Sequence, residues 1–200
     1  ISSKVSEMQN SGIDVITLSI GEPDFNIPDN SKYNGINSLN ANCTKYDLVP
    51  GLKILREEIC NKLLNENNCD YSLDEIVVSS GAKHCITNTL LALTNFGDEV
   101  LLPKPYWVSY PEMIKLVNCV PVFMETTKES NFKVNPKEIH KYITDKTKLI
   151  VINNPSNPTG SIYTKEELSE IVDICSNHGI YILADEIYEK VWKERAVNTD

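Results

Sequence analysis

Arginine is almost absent from this sequence of 200 residues, which contains only Arg56 and Arg195. Asp and Glu together number 28 against 19 Lys and Arg, and the formal net charge is −9. A nucleic-acid-binding protein needs a concentrated basic surface to neutralise phosphates, and no Lys- or Arg-rich stretch stands out. The composition therefore argues against a nucleic-acid partner.

Three further patterns are missing. No apolar run approaches the roughly 18 residues that a membrane span needs, so no membrane association is predicted. The six cysteines show no CxxC or other tight spacing, so we expect no metal site. We also expect reduced cysteines in a cytoplasmic protein rather than a disulfide framework. The sequence starts with the polar stretch ISSKVSEMQNSG and not with Met, so organellar targeting stays open.

Short apolar runs alternate with helix-like stretches along the chain. The runs predict strands at residues 15–20, 76–79, 99–102, 120–124, 148–152 and 181–184. Helices are predicted at 51–65, 82–94 and 109–117, the first with an apolar face formed by Leu52, Leu55, Ile59 and Leu63. This alternation is typical of an α/β fold, a parallel sheet covered by helices on both faces.

Local signals mark the ends of two more helices. Asn135, followed by Pro136, is a typical helix start. Thr164 and Glu167 form the spacing of a capping box, and Gly179 is expected to end that helix in a left-handed conformation. The buried face of the helix is predicted to contain Leu168, Ile171, Val172 and Cys175.

In a parallel sheet, ligands bind beyond the carboxyl ends of the strands, so the residues that follow each strand are the most informative. The segment Ser80-Gly81-Ala82-Lys83 leads into a helix, and small residues at a helix N-terminus suit a phosphate. A tight turn with nothing bound is the alternative. Neither GxGxxG nor GxxxxGK[ST] occurs, which argues against a dinucleotide or P-loop site.

Four side chains after the later strands have chemistry that suits a flat, polar ring. Trp107 could stack on it or could be a core residue, and Asn157 could donate to an oxygen or fill a turn. Asp185, after an apolar strand, would need a partner, either a basic side chain or a protonated ring nitrogen, and Tyr188 could add a phenol. Together with the phosphate segment, they describe a phosphorylated aromatic pyridine.

The segments around these residues resemble one family. They are GEPDF (21–25), KYDLVPGLKILREEI (45–59), SGAKHC (80–85), PKPYWVSYPEM (103–113), NNPSNPTG (153–160) and LADEIYE (183–189). In order and spacing they are similar to the class I and II aminotransferases, the pyridoxal-phosphate-dependent enzymes of the aspartate aminotransferase family with fold type I. Within this family, the motifs are most similar to those of the aspartate/prephenate branch. The resemblance covers only the N-terminal portion of the family's sequence.

The resemblance implies a domain organisation. Residues 1–30 would be an N-terminal segment belonging to the small domain. Residues 31–200 would be an incomplete large domain that binds pyridoxal 5′-phosphate, with a mostly parallel central sheet and helices on both faces.

The resemblance also implies roles for individual residues in holding the cofactor. Asp185 would pair with the pyridinium nitrogen, Trp107 would stack on the ring, and Asn157 and Tyr188 would hold the phenolic oxygen. The phosphate would be bound by backbone donors of the segment Gly81, Ala82 and Lys83.

Two further implications concern a partner subunit and the substrate. Tyr46 would reach the cofactor phosphate of a partner subunit, which implies a homodimer. Gly21 would lie at the substrate carboxylate, with Trp107 and Asn157 also in the substrate site.

The implied reaction moves an amino group between an amino acid, aspartate- or glutamate-like or related, and a 2-oxo acid. The family's Schiff-base lysine and substrate-carboxylate arginine are not matched here, because Lys190, Lys193, Arg56 and Arg195 stand outside its motifs. We therefore expect a truncated half that is inactive alone, and assign no catalytic residue. The alternatives are a pyridoxal-phosphate-dependent lyase of the ACC-synthase type and a noncatalytic family member.

Overall fold

The structure, a computed structural model, describes residues 2–16 and 25–191. Gly21, Lys193 and Arg195 lie outside the described residues, as does most of the strand predicted at 15–20. Contacts divide the chain into two compact units, Ile1–Asp47 and Leu48–Asp200. The division into a small-domain segment at 1–30 and a large domain at 31–200 stays a prediction.

The described residues of the first unit form two helices, α1 (Ser2–Asn10) and α2 (Asp29–Asn40). Asp29 places a negative charge in the first turn of α2, where the helix dipole favours it. No residue of α2 is buried, so the packing within this unit does not cover its apolar side chains.

The second unit contains helices and strands in alternation. The helices are α3 (Lys53–Asn67), α4 (Ala82–Leu93), α5 (Tyr110–Leu116), α6 (Pro136–Ile139) and α7 (Lys165–His178), with a short 3₁₀ turn at Leu73–Glu75. The strands are β1 (Glu99–Pro103), β2 (Val120–Met124), β3 (Thr147–Asn153) and β4 (Tyr181–Asp185). None of the helices in the described ranges is long and apolar enough to cross a bilayer.

The four strands form one parallel sheet in the order β2-β1-β3-β4. Pro103 pairs with Met124, and Asn153 pairs with Asp185, so the strands end at a common edge. Whatever follows the strands is therefore delivered to one side of the sheet.

Alternate residues of the central strands belong to two separate cores. Val100 and Leu102 pack with residues of α4 and α5, whereas Leu101 packs with residues of α6 and α7. Successive side chains of a strand point to opposite faces, so each face has its own helices. The predicted α/β class, with a parallel sheet and helices on both faces, is confirmed.

The predicted helix ends are present. The Asn135 side chain accepts a hydrogen bond from the Lys137 amide, and Gly179 ends α7 with a φ of 65°. Thr164 and Glu167 form the reciprocal capping box, with the Thr164 amide donating to Glu167 Oε2 at 2.7 Å. These signals are short-range, which is why the sequence alone identifies them.

Two predictions about apolar segments are wrong. Residues 76–79 form no strand in the structure, although Ile76 is extended and the Val78 amide donates to the Pro50 carbonyl at 2.9 Å. Val172 is 47% exposed, because the face of α7 that packs on the sheet centres on Ile171 and Cys175.

Helix α3 forms as predicted, but its apolar face is largely uncovered. Leu52 and Leu55 are 51% and 42% exposed. The buried residue of α3 is Arg56, whose guanidinium donates to the carbonyls of Gly51 (3.2 Å) and Leu73 (2.9 Å). A buried arginine that pairs with backbone carbonyls has a structural role, here holding the residue before the helix cap and the 3₁₀ turn against α3.

Candidate functional site

Asp185 is the last residue of β4, and its carboxylate is nine-tenths buried at the edge where the strands end. Oδ2 accepts a hydrogen bond from the phenol of Tyr110 at 2.5 Å, and Oδ1 accepts one from the Ile187 amide at 3.2 Å. Among the described residues, no Lys, Arg or His forms an ion pair with this carboxylate. Its buried negative charge is therefore stabilised by neutral donors.

The corner after β3 joins Asn157 to the segment after β4. The Asn157 amide nitrogen Nδ2 donates to the phenol oxygen of Tyr188 at 3.1 Å. Both groups of the Asn153 side-chain amide stabilise this corner. Its Oδ1 accepts a hydrogen bond from the Asn157 backbone amide at 2.6 Å, and its Nδ2 donates to the Asp185 carbonyl at 2.9 Å. The structure thus brings Asn157, Tyr188 and Asp185 together at one edge.

The corner has an unusual backbone. The Asn154–Pro155 and Asn157–Pro158 peptide bonds are both cis, and Gly160 has a φ of 70°. The Asn154 amide donates to the Asp185 carbonyl at 3.0 Å, and the Asn154 side chain accepts from the Tyr163 amide at 3.0 Å. The backbone and the side chain of Asn154 thus tie this corner to β4 and to the residues just before α7.

Trp107 lies between β1 and α5 and is half-buried. Its ring meets the Tyr110 ring edge-on, with centroids 5.4 Å apart and an interplanar angle of 84°. The ammonium of Lys83 lies 5.1 Å from the centroid of the indole, within cation–π distance. Trp107 therefore links the start of α4 to the Tyr110–Asp185 pair.

Helix α4 begins at Ala82, and Gly81 precedes it with a φ of 83°. A Cβ on Gly81 would meet nothing within 4 Å, so the backbone here is open to an approaching group. The amides of Ala82 and Lys83 lie in the first turn, where helical geometry provides no partner within the helix. A helix N-terminus with open backbone is suited to bind an anion.

Tyr110 has the clearest pKa shift at the site. Its side chain is 2% exposed, and burial raises the pKa of its phenol well above the usual value. The hydrogen bond to Asp185 and the negative charge of that carboxylate raise it further. Tyr110 therefore stays protonated across the neutral range and acts as a donor.

A second set of contacts holds the segment after β4 from the side of α3. Glu189 accepts hydrogen bonds from Lys62 Nζ at 2.6 Å and from Asn67 Nδ2 at 2.7 Å. Lys190 pairs with Glu66 on the same helix. The residues Asp185 to Lys190 are thus fixed by the sheet at one end and by α3 at the other.

Some of the predicted site residues cannot be placed at this edge. Tyr46 belongs to the first unit and its side chain is fully exposed, and Gly21 lies outside the described residues.

Conversely, no role was predicted from the sequence for Tyr110 or Asn153. Tyr110 follows Trp107 by three residues in the same motif, which is the only local signal for it. In the ranges described, no group of three or more His, Cys, Asp and Glu is placed to hold a metal ion.

Comparison with a family model and with known proteins places these residues in context. The model for aminotransferase class I and II matches residues 13–198. The aspartate aminotransferase of Bacillus sp. strain YM-2 is 47% identical over 191 residues, which are 96% of this chain and 49% of that protein. A probable aspartate/prephenate aminotransferase of Rickettsia conorii is 45% identical, over 94% of this chain and 47% of its own length.

Solved structures show the same relationship. The aspartate aminotransferase of Thermus thermophilus with maleate superposes with a TM-score of 0.93 at 37% identity, over 96% of this chain and 50% of that one. An aspartate aminotransferase from Rhizobium meliloti gives a TM-score of 0.91 at 31% identity, over 97% of this chain and 49% of that one. The chain spans about half the length of the curated relatives it matches.

Proposed function

Because the chain belongs to the family of class I and II aminotransferases, we propose that it is the N-terminal half of an enzyme that uses pyridoxal 5′-phosphate to move an amino group from an amino acid to a 2-oxo acid. The names of its relatives favour an acidic amino acid such as aspartate as the donor.

The buried carboxylate of Asp185 carries this proposal. It is expensive to bury a carboxylate with no cationic partner, and neutral donors offset only part of that cost. A protonated pyridine nitrogen would supply at this position a positive charge that no described side chain provides. The residues at this edge therefore fit the cofactor, because they combine a carboxylate for the ring nitrogen with neutral hydrogen-bond donors nearby.

The remaining residues at the edge fit the other parts of such a cofactor. Trp107 presents an aromatic face for stacking, and Asn157 with Tyr188 forms a donor pair suited to a phenolate oxygen. The first turn of α4, from Gly81 to Lys83, would bind the phosphate through backbone amides. When bound, the cofactor supplies an electron sink for the carbanion that forms at the substrate α-carbon. Asp185 contributes by keeping a proton on the ring nitrogen.

The proposal extends to residues that cannot be located relative to this site. Tyr46 would contact the cofactor phosphate of a partner subunit, so the enzyme would be a homodimer. Gly21 would lie at the substrate carboxylate, together with Trp107 and Asn157. Residues 1–30 would belong to the small domain and 31–200 to the large one.

The experiment uses the full-length protein that contains this chain. We expect added pyridoxal 5′-phosphate to produce an absorbance band in the violet, and amino transfer from aspartate to a 2-oxo acid to be detectable. Asp185→Asn should retain the phosphate contacts but lower turnover by at least about 100-fold, as for loss of other charge-stabilising groups in active sites.

Asp173→Asn is the matched control, because it changes an exposed carboxylate on α7 away from the strand ends and should leave turnover unchanged. Absence of both the absorbance band and amino transfer in the unmodified protein would overturn the proposal. Product analysis separates transamination from the elimination reactions of a lyase, which would use the same cofactor site.

A further inference from the structure

Tyr110 contacts two of the residues proposed to hold the cofactor, although its own position was not among those expected to bind it. It is the first residue of α5 and is 2% exposed. Its hydroxyl donates to Asp185, and its ring packs against Trp107. One buried side chain therefore connects the acid proposed for the ring nitrogen with the indole proposed for the ring face.

The contact with Asp185 fixes the plane of the carboxylate. The O···O distance of 2.5 Å is that of a strong hydrogen bond to an ionised acceptor. The Ile187 amide holds the other oxygen at 3.2 Å. Each carboxylate oxygen can accept about two hydrogen bonds, so each keeps one acceptor position in a defined direction. Without the Tyr110 hydroxyl, a single backbone amide would orient the carboxylate.

The contact with Trp107 fixes the orientation of the indole ring. The two rings meet edge-to-face, an arrangement with a preferred geometry and not merely apolar contact. The indole orientation and the carboxylate orientation therefore depend on the same side chain. A flat ligand that stacks on Trp107 would meet Asp185 at an angle set by Tyr110.

We propose that Tyr110 is a positioning residue that aims the Asp185 carboxylate at the ring nitrogen of a pyridine ligand stacked on Trp107. This inference deepens the proposed function and rests on it. Tyr110 acts through Asp185 and does not itself touch the ring. Its effect is therefore specific to ligands that have a nitrogen for Asp185 to meet.

The test compares two ligands in the full-length protein that contains this chain. One is pyridoxamine 5′-phosphate, and the other is its analogue with a carbon in place of the ring nitrogen. The unmodified protein should bind the first more tightly. In Tyr110→Phe, we expect the ratio of the two affinities to fall about tenfold, in line with a hydrogen bond to a charged group. Replacing Tyr110 by p-aminophenylalanine, which restores a donor, should recover much of the ratio.

Tyr163→Phe is the matched control. Tyr163 is also a buried tyrosine, but it packs with the other core, and its hydroxyl accepts from the Val134 amide at 3.0 Å. The Tyr163→Phe variant should be less stable in urea, but the ratio of its affinities for the two ligands should be unchanged.

The outcomes separate the two proposals. An unchanged ratio in Tyr110→Phe, or an equal fall in Tyr163→Phe, would show that Tyr110 has no specific link to the ring nitrogen. If neither ligand binds the unmodified protein, the proposed function itself fails. If Tyr110→Phe does not fold, the p-aminophenylalanine variant decides, since a lowered ratio there would exclude positioning by a donor at this place.

Discussion

The side-chain amide of Asn157 donates a hydrogen bond to the phenol of Tyr188 at 3.1 Å, across 31 residues of sequence. Asn157 follows β3 and Tyr188 follows β4, so the pair forms only when these strands lie side by side. The second amide proton and the phenol proton can then face a common acceptor. The pair can therefore offer two donors to one acceptor oxygen, which suits the phenolic oxygen of the proposed cofactor.

Removing this amide should weaken cofactor binding selectively. In Asn157→Ala, we expect the affinity for pyridoxamine 5′-phosphate to fall about tenfold, since a hydrogen bond to a charged oxygen is lost. Titration followed by absorbance gives the affinity. Asn135→Ala, which removes the cap of α6, should reduce stability but leave this affinity unchanged. Equal affinities for Asn157→Ala and the unmodified protein would contradict the assignment.

The ion pair between Lys133 and Glu167 should make stability depend on pH. Burial raises the pKa of Glu167, but hydrogen bonds from Lys133 and the Thr164 amide outweigh it and hold this pKa below 4.5. A carboxylate with a lowered pKa stabilises the fold above the unfolded-state pKa, and this contribution is lost as the pH falls through the folded-state value.

Glu167→Gln keeps the capping box but removes the charge, so it isolates this effect. We expect the variant to be about 1 kcal/mol less stable at pH 7 by urea unfolding. The difference should shrink as the pH is lowered, because Glu167 gains a proton once the pH falls through its folded-state pKa. Glu170→Gln, an exposed carboxylate on the same helix, should show no such pH-dependent difference. A stability difference for Glu167→Gln that stays constant as the pH is lowered would argue against the ion pair.

Gly51 is a position where any side chain should be costly. Its φ is 102°, and a Cβ would lie 2.7 Å from Val78 Cβ. Because the contact is with a branched carbon next to the backbone, relief would require the chain to move. We expect Gly51→Ala to lower the free energy of unfolding by roughly 2 kcal/mol or more.

Gly35→Ala provides the comparison for Gly51. Gly35 lies within α2, where a Cβ would meet nothing within 4 Å. Alanine is favoured over glycine inside a helix, so this variant should be neutral or up to about 1 kcal/mol more stable. Chemical unfolding of both variants measures the contrast. Similar stabilities for the two would show that Gly51 is not constrained.

Arg56 should be essential for stability and not for chemistry. Arg56 is only 6% exposed, and its guanidinium donates hydrogen bonds to two backbone carbonyls. Arg56→Met would remove the guanidinium donor from the Gly51 carbonyl and one of the two donors to the Leu73 carbonyl, at a cost of roughly 2–4 kcal/mol. Lys53→Met, on the exposed side of the same helix, should change the free energy by less than about 0.5 kcal/mol. Urea unfolding of both variants provides the test.

The sequence predicts well what depends on neighbouring residues. Asn135, the Thr164–Glu167 capping box and Gly179 are recognised because each acts within a few residues of its own position. The parallel sheet is also predictable, because apolar runs that alternate with helices leave few other arrangements. The convergence of Asn157, Tyr188 and Asp185 at one edge follows from the same topology.

Features that depend on distant partners could not be predicted in this way. The hydroxyl of Tyr110 reaches a carboxylate 75 residues away, and nothing near Tyr110 in sequence identifies that partner. Likewise, the apolar spacing of Leu52 and Leu55 predicts a helix but not whether anything covers it. The burial of Arg56 depends on two loop carbonyls, which hydrophobic periodicity does not reveal.

The link between α3 and Glu189 also determines when this site can form during synthesis. Lys62 and its partner Glu189 are 127 residues apart. At the usual elongation rates, Glu189 is added roughly 6–25 s after Lys62. Until then, Lys62 lacks this partner on the segment after β4, and that segment is not yet tied to α3 through Glu189. If the proposed function holds, a ribosome-bound chain that binds pyridoxal 5′-phosphate has been translated past β4, and cofactor binding would then report on the co-translational folding of this region.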